Sequence, residues 1–168
     1  MIRPATPGDA RALADIYNPY IRDTTITFEE EELSVEEMAR RIETVSAAFP
    51  WLVWEEDGVA VGYAYAGTWR TRRAYRYAVE TAIYLHPSQQ GRGRGPVLYR
   101  ALLDELGRRG FHSVLGCLAL PNEPSVRLHE GLGFRKVGHM REAGWKFDTW
   151  VDVGFWELML NEGPPPTP

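Results

Sequence analysis

The chain has 168 residues, 44% apolar and 25% charged, enough for one domain with a hydrophobic core. A net charge of −4 argues against a nucleic-acid surface, although a local basic cluster can still bind a small anion. The lone Cys117 excludes an intrachain disulfide or multi-cysteine metal site, no apolar run reaches the ~18 residues of a spanning helix, and the start Met1-Ile2-Arg3-Pro4 carries no signal peptide, so a cytoplasmic location is expected.

Thr6-Pro7-Gly8-Asp9 places a cap residue, a proline at the first helical position and an acid in the first turn. Leu13, Ile16 and Tyr17 then give the predicted helix its apolar face. Ser34 and Glu37 form a capping box, each expected to serve the other's backbone donor, and Met38, Ile42 and Val45 extend a second helix. From Trp51 the pattern changes to strands over 51–55 and 59–65, joined by Glu56-Asp57-Gly58, a strong hairpin signal. A strand over 77–85, a helix over 96–109 ended by Gly110, and a strand over 112–120 follow. A short helix after Asn122 and two closing strands near 136–146 and 150–160 complete the pattern. Residues 1–162 read as a single domain, and 163–168 as a proline-rich flexible tail. Helices alternating with strands around a central hairpin favour a mixed sheet with helices on both faces over a purely parallel one.

The segment 84–96 runs strand, tight turn, helix and contains Gln90-Gly91-Arg92-Gly93-Arg94-Gly95-Pro96. Glycines at alternate positions let the backbone take conformations closed to other residues and come close to a ligand. Pro96 suits a first helical turn, where free N–H groups and the positive end of the helix dipole make a pyrophosphate site. Arg92 and Arg94 either add charge or stay solvated. No Gly-Lys-Ser/Thr closes the segment, so a P-loop is excluded, and the spacing also differs from the dinucleotide G-x-G-x-x-G. On these residues alone, a ligand-free surface turn explains the pattern equally well.

Gln90 to Gly95 resembles the Q/R-x-x-G-x-G/A signature of the GNAT N-acetyltransferase superfamily. Asn122-Glu123-Pro124-Ser125-Val126-Arg127-Leu128-His129 resembles that superfamily's next motif, with His129 where tyrosine is common. Ile16-Tyr17-Asn18, Trp69-Arg70-Thr71-Arg72-Arg73-Ala74-Tyr75, Tyr84-Leu85-His86-Pro87 and Asp152-Val153-Gly154-Phe155-Trp156 narrow the resemblance to phosphinothricin and methionine sulfoximine N-acetyltransferases. This likeness covers nearly the whole chain except its tail. It implies a GNAT fold, a central mixed, mostly antiparallel twisted sheet flanked by helices. It also implies acetyl-CoA as cosubstrate without a metal, a homodimer, and direct acetyl transfer to a free α-amino group in a ternary complex.

The resemblance also implies site residues. The backbone of Ile83, Tyr84 and Leu85 would pair with the pantetheine arm, which carries two amides, and the Leu85 N–H would serve the carbonyl oxygen. Gln90, Gly91, Arg92, Gly93, Arg94, Gly95 and Pro96 would cradle the diphosphate, with Asn122 and Ser125 near the reactive end. Asn122 equally suits a helix cap. Glu80 stands in an apolar strand, where a carboxylate is costly unless paired, solvated or functional; the family match favours a base, acting directly or through water. His129 titrates near neutral pH and is the second catalytic candidate, against the alternative of a satisfied core histidine. Arg72, Arg73 and Tyr75 would anchor an anionic acceptor, with Phe28 as an apolar wall and the role of Arg70 open. Trp51, Trp54, Trp150 and Trp156 read as core or interface, Cys117 as buried among Val114, Leu115 and Leu118 rather than a nucleophile, and His86, His112 and His139 lack metal spacing. Acetylation of another amine, such as a peptide N-terminus or a polyamine, and a non-catalytic acyl-CoA-binding module are the alternatives.

Overall fold

The computed structural model describes residues 1–164. Of the expected tail only Gly163 and Pro164 fall within that range, both exposed; 165–168 lie outside it. The strands are β1 (Ile2–Pro4), β2 (Trp51–Glu56), β3 (Val59–Thr68), β4 (Ala78–Leu85), β5 (Ser113–Leu120), β6 (Arg135–Lys146) and β7 (Thr149–Met159). They form one sheet in the order β1-β2-β3-β4-β5-β7-β6, antiparallel throughout except for the parallel pair β4 and β5. The helices are α1 (Ala10–Asp23), α2 (Val35–Ser46), α3 (Arg94–Arg108) and α4 (Glu123–Gly131).

Two apolar layers hold the helices to opposite faces of the sheet. Leu13, Ile16, Tyr17, Met38 and Ile42 pack with Trp51, Val53 and Tyr63 on one face. Leu98, Tyr99, Leu102 and Leu106 of α3 pack on Ala64, Ala66, Val79 and Val114 on the other. Successive residues of β3 alternate between the layers, with the small Ala64 and Ala66 letting α3 lie close. Asp57 and Gly58 take φ of 49° and 79°, the left-handed pair that matches the strand twist of a two-residue hairpin.

Thr6 caps the start and Pro7 and Asp9 hold their expected first-turn places, the turn itself being a 3-10 segment (Pro7–Asp9) before α1, where Asp9 accepts the Thr6 N–H at 2.8 Å and pairs with Arg3. Two local expectations are corrected. At α2 only half of the capping box forms: Ser34 Oγ accepts the Glu37 N–H at 3.1 Å, but the Glu37 carboxylate turns to Arg40 and Arg41. α3 begins at Arg94, two residues before Pro96, so Gly95 is helical and only Gly91 and Gly93 take positive φ.

The feature that matters for function lies at the centre of the sheet. β4 pairs with β5 only from Ala78↔Ser113 to Thr81↔Gly116, although both strands continue to Leu85 and Leu120. Over those last residues β4 remains paired to β3, and β5 to β7. The two halves of the twisted sheet thus separate, leaving a V-shaped opening whose apex is at Thr81 and Gly116.

Candidate active site

The V places backbone groups where a ligand can use them. The His86 N–H donates to the Val61 carbonyl at 2.9 Å, so the amide groups of β4 that share its side of the strand, including Tyr84, face β3. By the two-residue alternation, those of Ile83 and Leu85 face the opening. Tyr84 therefore contributes no amide to the gap; its ring is buried against Tyr17 and Tyr20. The Leu85 carbonyl accepts the Tyr20 hydroxyl at 2.6 Å, and the Tyr20 oxygen accepts from Gln90 Nε2 at 2.8 Å, which ties α1 to the glycine turn.

Alongside this edge runs a largely apolar cleft of about 480 Å³, bounded by Leu85, Gly91, Gly93, Pro96 and Leu128. Gly91 and Gly93, at φ of 71° and 73°, have no atom within 4 Å of where a Cβ would stand. Their open backbone, followed at once by the α3 N-terminus, fits a diphosphate, and the apolar cleft fits the arm that would extend from it. Gly95, in the first turn of α3, also lines the cleft, and a Cβ there would stand 3.6 Å from Leu85 and 3.9 Å from Leu128, at ordinary contact distance. Arg94 lines the cleft, but its guanidinium is engaged by Glu56 and Gln89 and lies over the Trp54 ring. Arg92 is exposed and lines neither this cleft nor the cavity at the apex.

At its inner end the cleft meets a cavity of about 140 Å³, sharing Ile26, Ile83, Asn122 and Ser125 as walls. Glu80, Thr81, Cys117 and His129 line this inner space. Glu80 is half-buried, and burial raises its carboxyl pKa; the neighbouring Cys117 thiol and the charge of Arg70 partly oppose that rise. Cys117 is therefore not a core residue: it stands beside Glu80, and desolvation with the nearby carboxylate pushes its pKa up to about 12, holding it as the thiol. Asn122 caps α4, its side chain accepting the Ser125 N–H at 3.3 Å, and reaches the cavity as well.

His129 is buried at the apex, over the bare backbone of Gly116, where an added Cβ would come within 2.6 Å of ring atoms. Its Nδ1 lies 2.8 Å from the Ser125 carbonyl and its Nε2 3.0 Å from the Tyr99 hydroxyl. A carbonyl can only accept, so Nδ1 carries the proton and the neutral ring accepts at Nε2. Burial lowers the His129 pKa, and the Ser125 carbonyl partly offsets this. Tyr99 in turn lies 2.6 Å from the Thr81 hydroxyl. No spacing in the sequence points to Tyr99 or Thr81 as parts of the site.

The segment 24–34 between α1 and α2 reaches the cavity through Ile26, which also borders the cleft. The half-exposed Phe28 lays its ring on Gly144 of β6, with no room there for a side chain. Lys146 of β6 is buried and donates from Nζ to the carbonyls of Ile21 and Thr27 at 2.8 Å each, fastening this segment to the sheet. Desolvation lowers its pKa. Arg72, Arg73 and Tyr75 lie on an exposed 3-10 turn and line neither cavity; Arg70 is the guanidinium of that loop whose charge acts on Glu80. Among the described residues, no group of His, Cys, Asp or Glu gathers as a metal-ligand set, and no helix is long and apolar enough to cross a membrane.

The family model for the acetyltransferase (GNAT) domain matches residues 2–154. The chain is 44% identical to a phosphinothricin N-acetyltransferase of Streptomyces viridochromogenes, over 99% of this chain and 91% of that one. It is 36% identical to the L-methionine sulfoximine/L-methionine sulfone acetyltransferase of Salmonella typhimurium, covering 96% and 95%. Its fold superposes on the structure of an acetyltransferase from Salmonella typhimurium with its cofactor acetyl-CoA at a TM-score of 0.95, with 36% identity and coverage of 99% and 97%. The match of the family model over most of the chain, together with these identities, shows that the chain belongs to the GNAT family of N-acetyltransferases.

Proposed function

We propose that this chain transfers the acetyl group of acetyl-CoA to the α-amine of a small amino acid of the phosphinothricin or methionine sulfoximine type. The observation that carries this reading is that the two spaces adjoin: the cleft at the glycine turn and the cavity at Glu80 share Ile26, Ile83, Asn122 and Ser125 as walls. The named activities of the two relatives supply the acceptor class.

When bound, acetyl-CoA supplies an activated acetyl thioester. The chain's own residues do the rest. Gly91, Gly93 and the α3 N-terminus hold the diphosphate, and the amides of Ile83 and Leu85 hold the arm as a neighbouring strand would. Leu85 lines only the outer cleft whereas Ile83 lines both spaces, so the Ile83 N–H is the better placed donor for the carbonyl oxygen as charge grows there. Glu80, with its raised pKa, accepts the proton of the acceptor ammonium, directly or through water. Arg70, whose charge reaches Glu80, offers its guanidinium to the acceptor's carboxylate, and Ile26 offers an apolar wall.

A homodimer is part of the same reading. Met140, Trp145 and Trp150 are exposed on β6 and β7, with Phe147 in the turn between them, at one edge of the sheet, where a second copy would cover them.

The test is release of free CoA with acetyl-CoA and a panel of phosphinothricin, methionine sulfoximine, free proteinogenic amino acids, short peptides and polyamines. Release dependent on the first two supports the proposal. Preference for peptides or polyamines would redirect it to another amine, and tight acetyl-CoA binding without turnover would reduce the chain to a binding module.

A further inference from the structure

His129 poses a problem that its geometry also resolves. Both ring nitrogens are already engaged, Nδ1 by the Ser125 carbonyl and Nε2 by the Tyr99 hydroxyl, and the ring is 4% exposed. It therefore cannot meet an acceptor amine without giving up a buried hydrogen bond. The ring borders the inner space, but its Nε2 faces the Tyr99 hydroxyl and connects to the cavity through it. Tyr99 Oη lies 2.6 Å from Thr81 Oγ1, and Thr81 lines the inner space at the apex of the V.

We infer that Thr81 and Tyr99 form a proton relay joining the acetyl-transfer cavity to His129, which acts as a buried proton store rather than as a group that touches the acceptor. The inference rests on the acetyl-transfer reading above and extends it to two residues of β4 and α3.

The polarity of the chain follows from donor counting. With His129 neutral, Nδ1–H donates to Ser125, Nε2 accepts from Tyr99, and the Tyr99 oxygen accepts from Thr81. With His129 protonated, Nδ1–H still donates to Ser125 while the other two bonds reverse: Nε2–H donates to Tyr99 and Tyr99 to Thr81, whose own hydroxyl turns to the Leu115 carbonyl 3.3 Å away. Both protonation states are thus fully hydrogen-bonded without any heavy atom moving. In the transfer itself, an ammonium group or a water in the cavity gives a proton to Thr81 Oγ1. Thr81 passes its own proton to Tyr99, and Tyr99 passes its own to Nε2. At each oxygen one O–H bond forms and one breaks, so both hydroxyls end intact; the cavity donor has lost one proton and the imidazole has gained it.

The surroundings suit a store that is empty at neutral pH. Tyr99 of α3 is the titratable side chain against the ring, Phe134 packs on another side at 4.9 Å, and Glu80 of β4 and Cys117 of β5 share the cavity. Burial lowers the His129 pKa and raises that of Tyr99, so the phenol conducts protons and does not lose one. Glu80 can then act on the acceptor, with His129 holding the excess proton while the product leaves.

Thr81→Val and Tyr99→Phe each remove one hydroxyl at nearly constant shape. In the wild-type-active enzyme each is expected to lower kcat by about 10-fold or more, with the KM values for acetyl-CoA and acceptor changed less than about twofold. The ascending limb of the kcat–pH profile is expected to move in both variants. Since one break interrupts the whole chain, the double variant should be no worse than either single. Wild-type kcat and pH profile in either variant, or losses that add in the double variant, would overturn the relay. Nitrogen-15 NMR of the wild-type histidines is an independent check: the relay requires His129 to be protonated at Nδ1 when neutral, and the Nε2–H tautomer contradicts it. An inactive wild type would instead count against the acetyl-transfer reading itself.

Discussion

The two mouths of the opening are built from different materials. The acetyl-CoA side is backbone: the amides of Ile83 and Leu85, two left-handed glycines and a helix N-terminus. On the proposed acceptor side it is side chain: Glu80, the charge of Arg70 that acts on it, and the segment 24–34 that Lys146 fastens to the sheet. A diphosphate and an amide-bearing arm are the same in every reaction of this kind, and invariant geometry can be met by main chain. Amine acceptors differ by a few atoms, and side chains are what discriminate such differences.

Perturbing each mouth should separate them. The largest effect is expected at the apex. Glu80→Gln should lower kcat by about 10²-fold or more, leaving acetyl-CoA affinity intact by calorimetry. The same change should raise the melting temperature at pH 7. A carboxyl whose folded pKa is raised binds more protons folded than unfolded, so its presence lowers stability as pH rises from the unfolded value of 4.5 through the folded one. The gain from glutamine should therefore vanish below about pH 4, where the carboxyl is protonated in both states. A Glu80→Gln protein that melts lower at pH 7 would contradict the electrostatic account of the apex.

Next comes the fastening of the acceptor segment. Lys146→Met leaves the buried carbonyls of Ile21 and Thr27 without their donor and should cost about 1–3 kcal/mol of stability in a denaturant titration. It should also raise the acceptor KM while sparing that for acetyl-CoA. Equal effects on both substrates would show that the two mouths are not independent.

On the other side, Gly93→Ala places a Cβ on a residue at φ of 73°. The strain of about 1–2 kcal/mol should appear as a roughly 10-fold weaker affinity for acetyl-CoA in calorimetry, with the acceptor KM unchanged. The smallest effect is expected from Arg92→Ala. This side chain is exposed and lines neither space, so acetyl-CoA affinity should move by less than about 0.5 kcal/mol. A large loss there would return charge to the account of the glycine turn.

The same contrast governs what could be read from the chain itself. The hairpin at Asp57-Gly58, the glycine turn, the α3 helix behind it and the Asn122 cap are local, and local chemistry announces them. The one shift there is that α3 begins at Arg94, which puts Gly95 inside the helix while it still lines the cleft. What stayed hidden is long-range. Nothing near β4 says that its pairing with β5 stops at Thr81. Lys146 reaches carbonyls 125 and 119 positions away, and Tyr99 meets Thr81 and His129 across 18 and 30. Arg70 and Arg72 share one loop in sequence, and only the fold shows whose charge acts on Glu80.

The central claim is that the V between β4 and β5 brings an acetyl thioester and an amine together over Glu80. Its most direct test is CoA release by one preparation supplied with acetyl-CoA, with and without phosphinothricin or methionine sulfoximine, beside the Glu80→Gln variant. The account predicts amine-dependent release that collapses in the variant while both proteins still bind acetyl-CoA. Binding without amine-dependent release in the wild type, or undiminished release in the variant, would contradict it.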